Sequence, residues 1–155
     1  MKEKVLLGMS GGVDSSVSAI LLKQMGYEVI GCTMILLENE NTYKQLEDAK
    51  SICEKLNIPH YTFQYKEIFN CKVINNFISQ YKEAKTPNPC VECNKYLKFG
   101  VFFDKAKELG CKYIATGHYA RIEESSKYNQ KVIKKSKEEK KDQTYFLYGI
   151  KREVL

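Results

Sequence analysis

Val5-Leu6-Leu7-Gly8-Met9-Ser10-Gly11-Gly12-Val13-Asp14-Ser15-Ser16 decides how the rest of the chain is to be taken. Five apolar or small residues run without alternation into a Gly/Ser turn, which predicts a strand buried on both faces. From Ser15 onward, Val17, Ile20, Leu21, Leu22 and Met25 recur at helical spacing, and Gly26 is the stop. The pattern then repeats. Glu28–Leu36 is a second strand-like run, and Tyr43–Leu56 carries Leu46, Ala49, Ile52, Cys53 and Leu56 on one helical face. Pro59 interrupts, His60–Phe63 makes a third strand, and Cys71–Ala84 a third helix. Thr86-Pro87-Asn88-Pro89 cannot continue that helix. Asn94–Leu109 is helical again, ending at Gly110, and Lys112–Thr116 is a fourth strand. Strands alternating with helices predict an α/β fold, a parallel sheet with helices on both faces. In such sheets ligands bind beyond the carboxyl ends of the strands. The loops 10–16 and 117–118 both follow strands.

Composition bounds the partners and the compartment. The 155 residues include 43% hydrophobic residues, with 11 Tyr and 7 Phe, enough to build a core and to exclude low-complexity disorder. A formal charge of +6 suits an anionic partner without naming one. No run of about 18 apolar residues is present and the N-terminal apolar run is too short for a signal peptide, so no membrane contact and a cytoplasmic location are expected. Of six cysteines, only Cys90 and Cys93 form a C-x-x-C pair. Cys32, Cys53, Cys71 and Cys111 sit in apolar runs and are expected as small buried hydrophobes.

Loop 10–16 has the chemistry of a phosphate cradle. Glycines let the backbone approach a phosphate closely, and N–H groups at a helix start favour an anion. The hydroxyls of Ser10, Ser15 and Ser16 can add donors, and Asp14 can hold a Mg²⁺ ion bridging phosphate oxygens. No G-x-x-x-x-G-K-[ST] loop is present, so this is not a grip for a transferred γ-phosphate. The plainer alternative is a tight strand–helix turn with a serine cap.

Two further stretches stand out. Asn88-Pro89-Cys90-Val91-Glu92-Cys93 places two thiols at a helix start, where a thiol's pKa is expected to fall and Lys95 and Lys98 lie near in sequence. C-x-x-C spacing also suits zinc or an iron–sulfur cluster, given further ligands, and a buried structural pair is the plainer alternative. From Glu123 to Asp142 come seven lysines and few apolar residues, which predicts a solvated loop or hairpin or, alternatively, a nucleic-acid contact.

SGGVDSS at 10–16, GYEVIGCTM at 26–34, TPNPCVECNKYLKFG at 86–100, ATGHYAR at 115–121 and KDQTYFLY at 141–148 resemble, in order, the blocks of the tRNA-specific 2-thiouridylase (MnmA) family of PP-loop ATP pyrophosphatases. The resemblance covers the family's N-terminal catalytic domain and implies an adenine nucleotide alpha hydrolase-like, Rossmann-like fold. It divides the chain into an ATP-binding catalytic domain at 1–122, a lysine-rich loop or hairpin at 123–142 and the start of a truncated continuation at 143–155. It implies sulfur insertion at C2 of the wobble uridine of tRNA, through adenylation of the uridine by ATP. Gly8, Met9, Ser10, Gly11, Gly12, Val13, Asp14, Ser15 and Ser16 would bind ATP with Mg²⁺, together with Met34, Gly117 and His118. Asp14 would take part in catalysis through the cation. Cys93 occupies the first catalytic cysteine's position, while Cys90 stands where the family usually has an aspartate. Asn88, Pro89 and Cys90 would meet the target base, and Lys141, Asp142 and Gln143 the tRNA. Read from residues alone, Met34 is a strand-end core residue, His118 a satisfied loop histidine, and Asp142 a capping acid.

Three roles remain open for Cys90: contact with the base, a redox disulfide with Cys93, or ligation with Cys93 of zinc or a 4Fe–4S cluster. The implied partners are tRNA and a sulfur-donor protein, either a persulfide carrier or a cysteine desulfurase. Rival assignments are another PP-loop enzyme that thiolates tRNA with a 4Fe–4S cluster, and a non-catalytic nucleotide- or RNA-binding module. The family's second catalytic cysteine lies downstream of KDQTYFLY, so the chain is expected to be a fragment.

Overall fold

A computed structural model describes residues 2–155. Two compact units divide them: residues 2–66 with 104–117, and residues 67–103 with 118–155.

The first unit is built on four parallel strands in the order β3-β2-β1-β4. These are β1 (Lys4–Gly8), β2 (Glu28–Ile35), β3 (His60–Gln64) and β4 (Tyr113–Ala115). Leu6 pairs in register with Ile30 on one side and Ile114 on the other. Burial explains the unbroken apolar runs. Val5, Leu6 and Leu7 are all closed to solvent, as are Val29, Ile30 and Cys32, so both sheet faces are covered. One face packs Val5, Leu7, Met9 and Val29 against Ala19 of α1 (Val13–Gln24) and Ala49 and Cys53 of α2 (Glu40–Lys55). Gly31 makes the second contact possible, because a Cβ there would lie 2.7 Å from the Cys53 sulfur. Of the periodic apolar residues of α1, Leu22 packs against the core, but most of the others do not form its core face. Its buried residues are Ser15 and Ala19, while Val17, Ile20, Leu21 and Met25 are substantially exposed. Small residues let the helix sit close to the sheet.

The second unit holds two helical runs with π-helical turns. α3 (Lys66–Phe69) passes through a π turn (Asn70–Ile74) into α4 (Asn75–Lys82). After the Thr86–Pro89 turn, α5 (Pro89–Cys93) passes through a longer π segment (Asn94–Val101) into α6 (Phe102–Glu108). Val73, Val91, Leu97, Phe102 and Leu147 are the buried apolar residues here. The lysine-rich stretch is largely an antiparallel hairpin of β5 (Ala120–Ser125) and β6 (Gln130–Lys135), with Ile122 opposite Ile133.

Boundaries depart from the sequence expectation where polar caps begin a helix ahead of its apolar stripe. α2 starts at Glu40 rather than Tyr43, because the Asn39 Oδ1 accepts from the Thr42 N–H at 2.9 Å. The helical run expected from Asn94 starts at Pro89, and the one expected from Cys71 at Lys66. Cys71 is exposed, a correction to its expected burial: it lies on the outer side of a π turn whose buried residue is Val73.

Leu6→Ala should cost about 2–5 kcal/mol, since the side chain is fully buried in a strand paired on both sides. A lowered urea midpoint with an unchanged m-value is the expected result.

Candidate functional sites

In the first unit, loop 10–16 joins the end of β1 to α1 and is wound tightly on itself. Gly11 has φ +76°, and a Cβ there would lie 2.7 Å from the Gln45 carbonyl oxygen, so this turn requires glycine. Ser15 is 3% exposed and its hydroxyl donates to the Gly12 carbonyl at 3.1 Å, while accepting from the Ser10 N–H at 3.3 Å. The Ser16 hydroxyl donates to the same carbonyl at 2.8 Å. These serines therefore hold the loop's shape, and the donors it can turn to an anion are chiefly main-chain N–H groups. Helix α1 has Gly12 at its N-cap and no side-chain cap. The first-turn N–H groups of any helix lack intrahelical acceptors, and the dipole adds positive character there.

Asp14 is exposed in that first turn. Gly117, two residues past β4, lies against the loop: a Cβ on it would stand 3.4 Å from the Asp14 Cβ and 3.6 Å from the Ser15 nitrogen. Met34 is half-buried near the end of β2, paired with Phe63. The neighbouring Thr33 is locked in place, its Oγ1 bonded to the Met9 carbonyl at 2.9 Å and to His60 Nε2 at 2.8 Å. A single carboxylate is a common protein ligand for Mg²⁺ when phosphates and waters complete its octahedral shell.

In the second unit, Asn88 caps the helix that carries both cysteines. Its Oδ1 accepts from the Cys90 and Val91 N–H groups at 3.1 and 3.4 Å. Cys90 is exposed and Cys93 partly buried. Burial pushes the Cys93 thiol above its ordinary value; the Lys98 ammonium opposes this and Cys90 adds to it. The lowered pKa expected at a helix start is thus overturned by desolvation. Burial also raises Cys32, to about 12, and Cys53 and Cys111, which fits their role as inert core residues. Among the described residues no three of His, Cys, Asp and Glu gather as a metal group. Among the described residues, Cys90 and Cys93 have no third side chain of these types gathered beside them.

His118 Nε2 accepts from the Lys98 ammonium at 3.5 Å, and the His118 ring lies 5.7 Å from that of Phe99. Burial, followed by the Lys98 charge, lowers its pKa to about 4. Lys141, Asp142 and Gln143 are drawn onto Tyr119. Gln143 and Tyr119 exchange bonds, with Tyr119 N–H donating to Gln143 Oε1 at 3.1 Å and Gln143 N–H to the Tyr119 carbonyl at 3.0 Å. Lys141 Nζ sits 4.9 Å from the Tyr119 ring centroid. The Asp142 carboxylate accepts from the Thr144 hydroxyl at 2.7 Å and the Ser136 N–H at 2.9 Å, which hold its pKa below the usual range. In the hairpin, Lys134 pairs with Glu123 at 2.7 Å.

Sequence reasoning missed Asn94. It is 2% exposed and its amide donates to the Phe146 carbonyl at 3.1 Å, fastening the cysteine helix to the turn at 144–147. A polar residue one place after the C-x-x-C, inside a helix, was the available signal.

With this geometry in hand, the family profile described as tRNA methyl transferase HUP domain matches residues 3–155. The chain belongs to that family. It is 49% identical over 164 residues to the tRNA-specific 2-thiouridylase MnmA of Clostridioides difficile (strain 630), an alignment covering 100% of this chain and 45% of the relative. It is 48% identical to tRNA-specific 2-thiouridylase MnmA 2 of Clostridium tetani (strain Massachusetts / E88), with 97% and 44% covered. The chain thus spans about 45% of the length of the curated relatives it matches. Among solved structures, the U34-tRNA thiolase NcsA from Methanococcus maripaludis with its 4Fe-4S cluster aligns with TM-score 0.55 at 23% identity, over 75% of this chain and 38% of that one. The glutamine-dependent NAD+ synthetase from Acinetobacter baumannii in complex with ADP aligns with TM-score 0.53 at 17% identity, over 73% and 21%. These likenesses bear on the fold alone, and they agree with a HUP-type, PP-loop parallel sheet as the sequence predicts.

His118 should remain uncharged well below neutrality. Its folded pKa lies below the ordinary histidine value, so between about 6.5 and about 4 the unfolded chain binds the extra proton and stability falls as pH is lowered. A ring-proton NMR titration should give a midpoint near 4, moving upward in Lys98→Met; a midpoint near 6.5 contradicts the assigned environment.

Proposed function

We propose that this chain is the ATP-activating part of a tRNA-uridine 2-sulfurtransferase. The observation that carries the proposal is the coexistence, in one family member, of a glycine-locked loop at an uncapped helix start and a capped C-x-x-C helix. Support also comes from the relatives named 2-thiouridylases, at 49% and 48% identity.

Residues Gly8 to Ser16, with Met34, Gly117 and His118, are proposed to bind ATP, and Asp14 to hold Mg²⁺. Magnesium, when bound, neutralises phosphate charge as it shifts to the leaving group. The loop's task is to fix the α-phosphorus for attack by the O2 of the wobble uridine, which expels pyrophosphate and converts a poor leaving oxygen into a good one. A persulfide on Cys93, loaded by a cysteine desulfurase or persulfide carrier, then attacks C2 through its outer sulfur and AMP departs. A second thiol reduces the resulting Cys93–S–S–C2 linkage: it forms a disulfide with the Cys93 sulfur, and the outer sulfur stays on the base as 2-thiouridine. Cys90 is one candidate for that thiol; the other is a cysteine elsewhere in the longer protein. Asn88, Pro89 and Cys90 are proposed to face the target base, with Lys141, Asp142 and Gln143 meeting tRNA. Because the Asp142 carboxylate is engaged by Ser136 and Thr144 and the Gln143 side-chain oxygen by Tyr119, these groups would act chiefly by shaping this surface, with Lys141 supplying charge.

The decisive comparison is Asp14→Asn against Cys93→Ser in a protein of the relatives' full length. Asp14→Asn should lower ATP-dependent pyrophosphate release in the presence of tRNA at least ten-fold. Cys93→Ser should spare that release and abolish 2-thiouridine, since an alcohol carries no persulfide. Full thiolation by Cys93→Ser would overturn the assignment, and unchanged turnover in Asp14→Asn would remove Asp14 from the site.

A further inference from the structure

In the second unit a lysine stands where an ordinary helix would not put it. Cys93 closes α5, and Lys98 lies five places on, in the π segment Asn94–Val101. Five residues of α-helix turn through about 500°, which would leave the two side chains about 140° apart. In a π turn the main-chain bonds run from i to i+5, so residue i+5 comes round over residue i. The segment therefore carries Lys98 to the side of the helix that holds Cys93.

The surroundings of the two lysines after the cysteine differ. Lys95 is exposed and lies over the Tyr96 ring, 4.8 Å from its centroid. Lys98 is half-buried, and its ammonium donates to His118 Nε2 at 3.5 Å. His118 suits that part because its pKa, held down to about 4, leaves the ring a neutral acceptor at physiological pH. An ammonium has three N–H bonds, so the one given to His118 leaves two for another acceptor. Two side chains bear on the charge of the Cys93 sulfur: Lys98 favours the anion, and Cys90 disfavours it. The neighbouring Asn94 amide is committed to the Phe146 carbonyl at 3.1 Å and supplies no charge.

We infer that Lys98 is a further functional residue of the sulfur-transfer step: its ammonium, steered by His118 and brought round by the π segment, holds the negative charge of the sulfur on Cys93. Lys98 forms and breaks no covalent bond and keeps its proton. When the outer sulfur of the persulfide attacks C2, its electron pair makes the C–S bond. The C–O pair leaves with AMP, so the negative charge departs on the nucleotide and the ammonium is released from its anion. The step rests on the sulfurtransferase reading given above, whereas the pairing of Lys98 with Cys93 does not.

The pairing is tested on the 155-residue chain by iodoacetamide alkylation as a function of pH, with Cys93 and Cys90 resolved by tandem mass spectrometry. Losing a nearby cation should raise the Cys93 midpoint by about one pH unit; thiolate falls about ten-fold below it, nucleophilicity partly compensates, and alkylation slows about three-fold. Lys98→Met should show this, and Lys98→Gln the same, which decides the matter if Lys98→Met does not fold. Lys98→Arg should restore the parent profile, and exposed Cys71 should react alike in all. An unchanged Cys93 profile in the uncharged variants, or no rescue by Lys98→Arg, overturns the pairing and leaves the sulfurtransferase reading intact. In a protein of the relatives' full length, Lys98→Met should form 2-thiouridine at least ten-fold more slowly while retaining pyrophosphate release. Equal thiolation overturns the role in transfer. A parent that makes no 2-thiouridine overturns the sulfurtransferase reading, and with it the step assigned to Lys98.

Discussion

The start of α1 is the constraint on which the first unit depends. Gly11 must turn through a left-handed backbone conformation because the α2 backbone stands 2.7 Å from where a Cβ would be. That turn lets Ser15 be buried beneath the loop, holding Gly12 and Ser10, while Ser15 and Ala19 bring α1 close to the sheet. The exposed apolar side of α1 follows from the same arrangement. A helix that seats itself by its small residues must turn its large ones outward, and Val17, Ile20 and Leu21 are 41–47% exposed. In the anion cradle proposed for this loop the serines are occupied with structure, which leaves main-chain dipoles to face the ligand.

In the second unit the chemistry depends on desolvation. Cys93 gains what a helix start offers and loses more to burial, so its resting form is the neutral thiol. His118 is neutral for the same reason, and Lys98 is the cation near both. A thiol held in its neutral form resists oxidation, because the thiolate is the species oxidised, and burial gives Cys93 that protection.

Much of this was legible in the sequence, and the part that was not has a common cause. Four strands, their parallel arrangement and the loop after β1 could be read because apolar runs and Gly/Ser punctuation are local signals. Helix starts at Glu40 and Pro89 were misplaced because caps are polar and precede the apolar stripe. The burial of Cys93 and the Asn94–Phe146 bond depend on residues far along the chain, the latter 52 positions apart, and no periodicity announces them. Cys71 was misjudged because a π turn displaced it from the face its neighbours suggested.

That π geometry has a consequence for how the second unit tolerates change. Each π turn accommodates one residue more than an α-helix would, and in the longer segment Gly100 closes against the Lys95 carbonyl five places back, where a Cβ would stand 3.1 Å away. Winding the same residues 94–101 as an ordinary α-helix would rotate everything after them by about 100° for each extra residue. Phe102, now fully buried, would swing out of the core while the cysteines upstream kept their cap. The segment thus fixes the phase between the cap and the core, and evolution can alter the residues in it far more easily than their number.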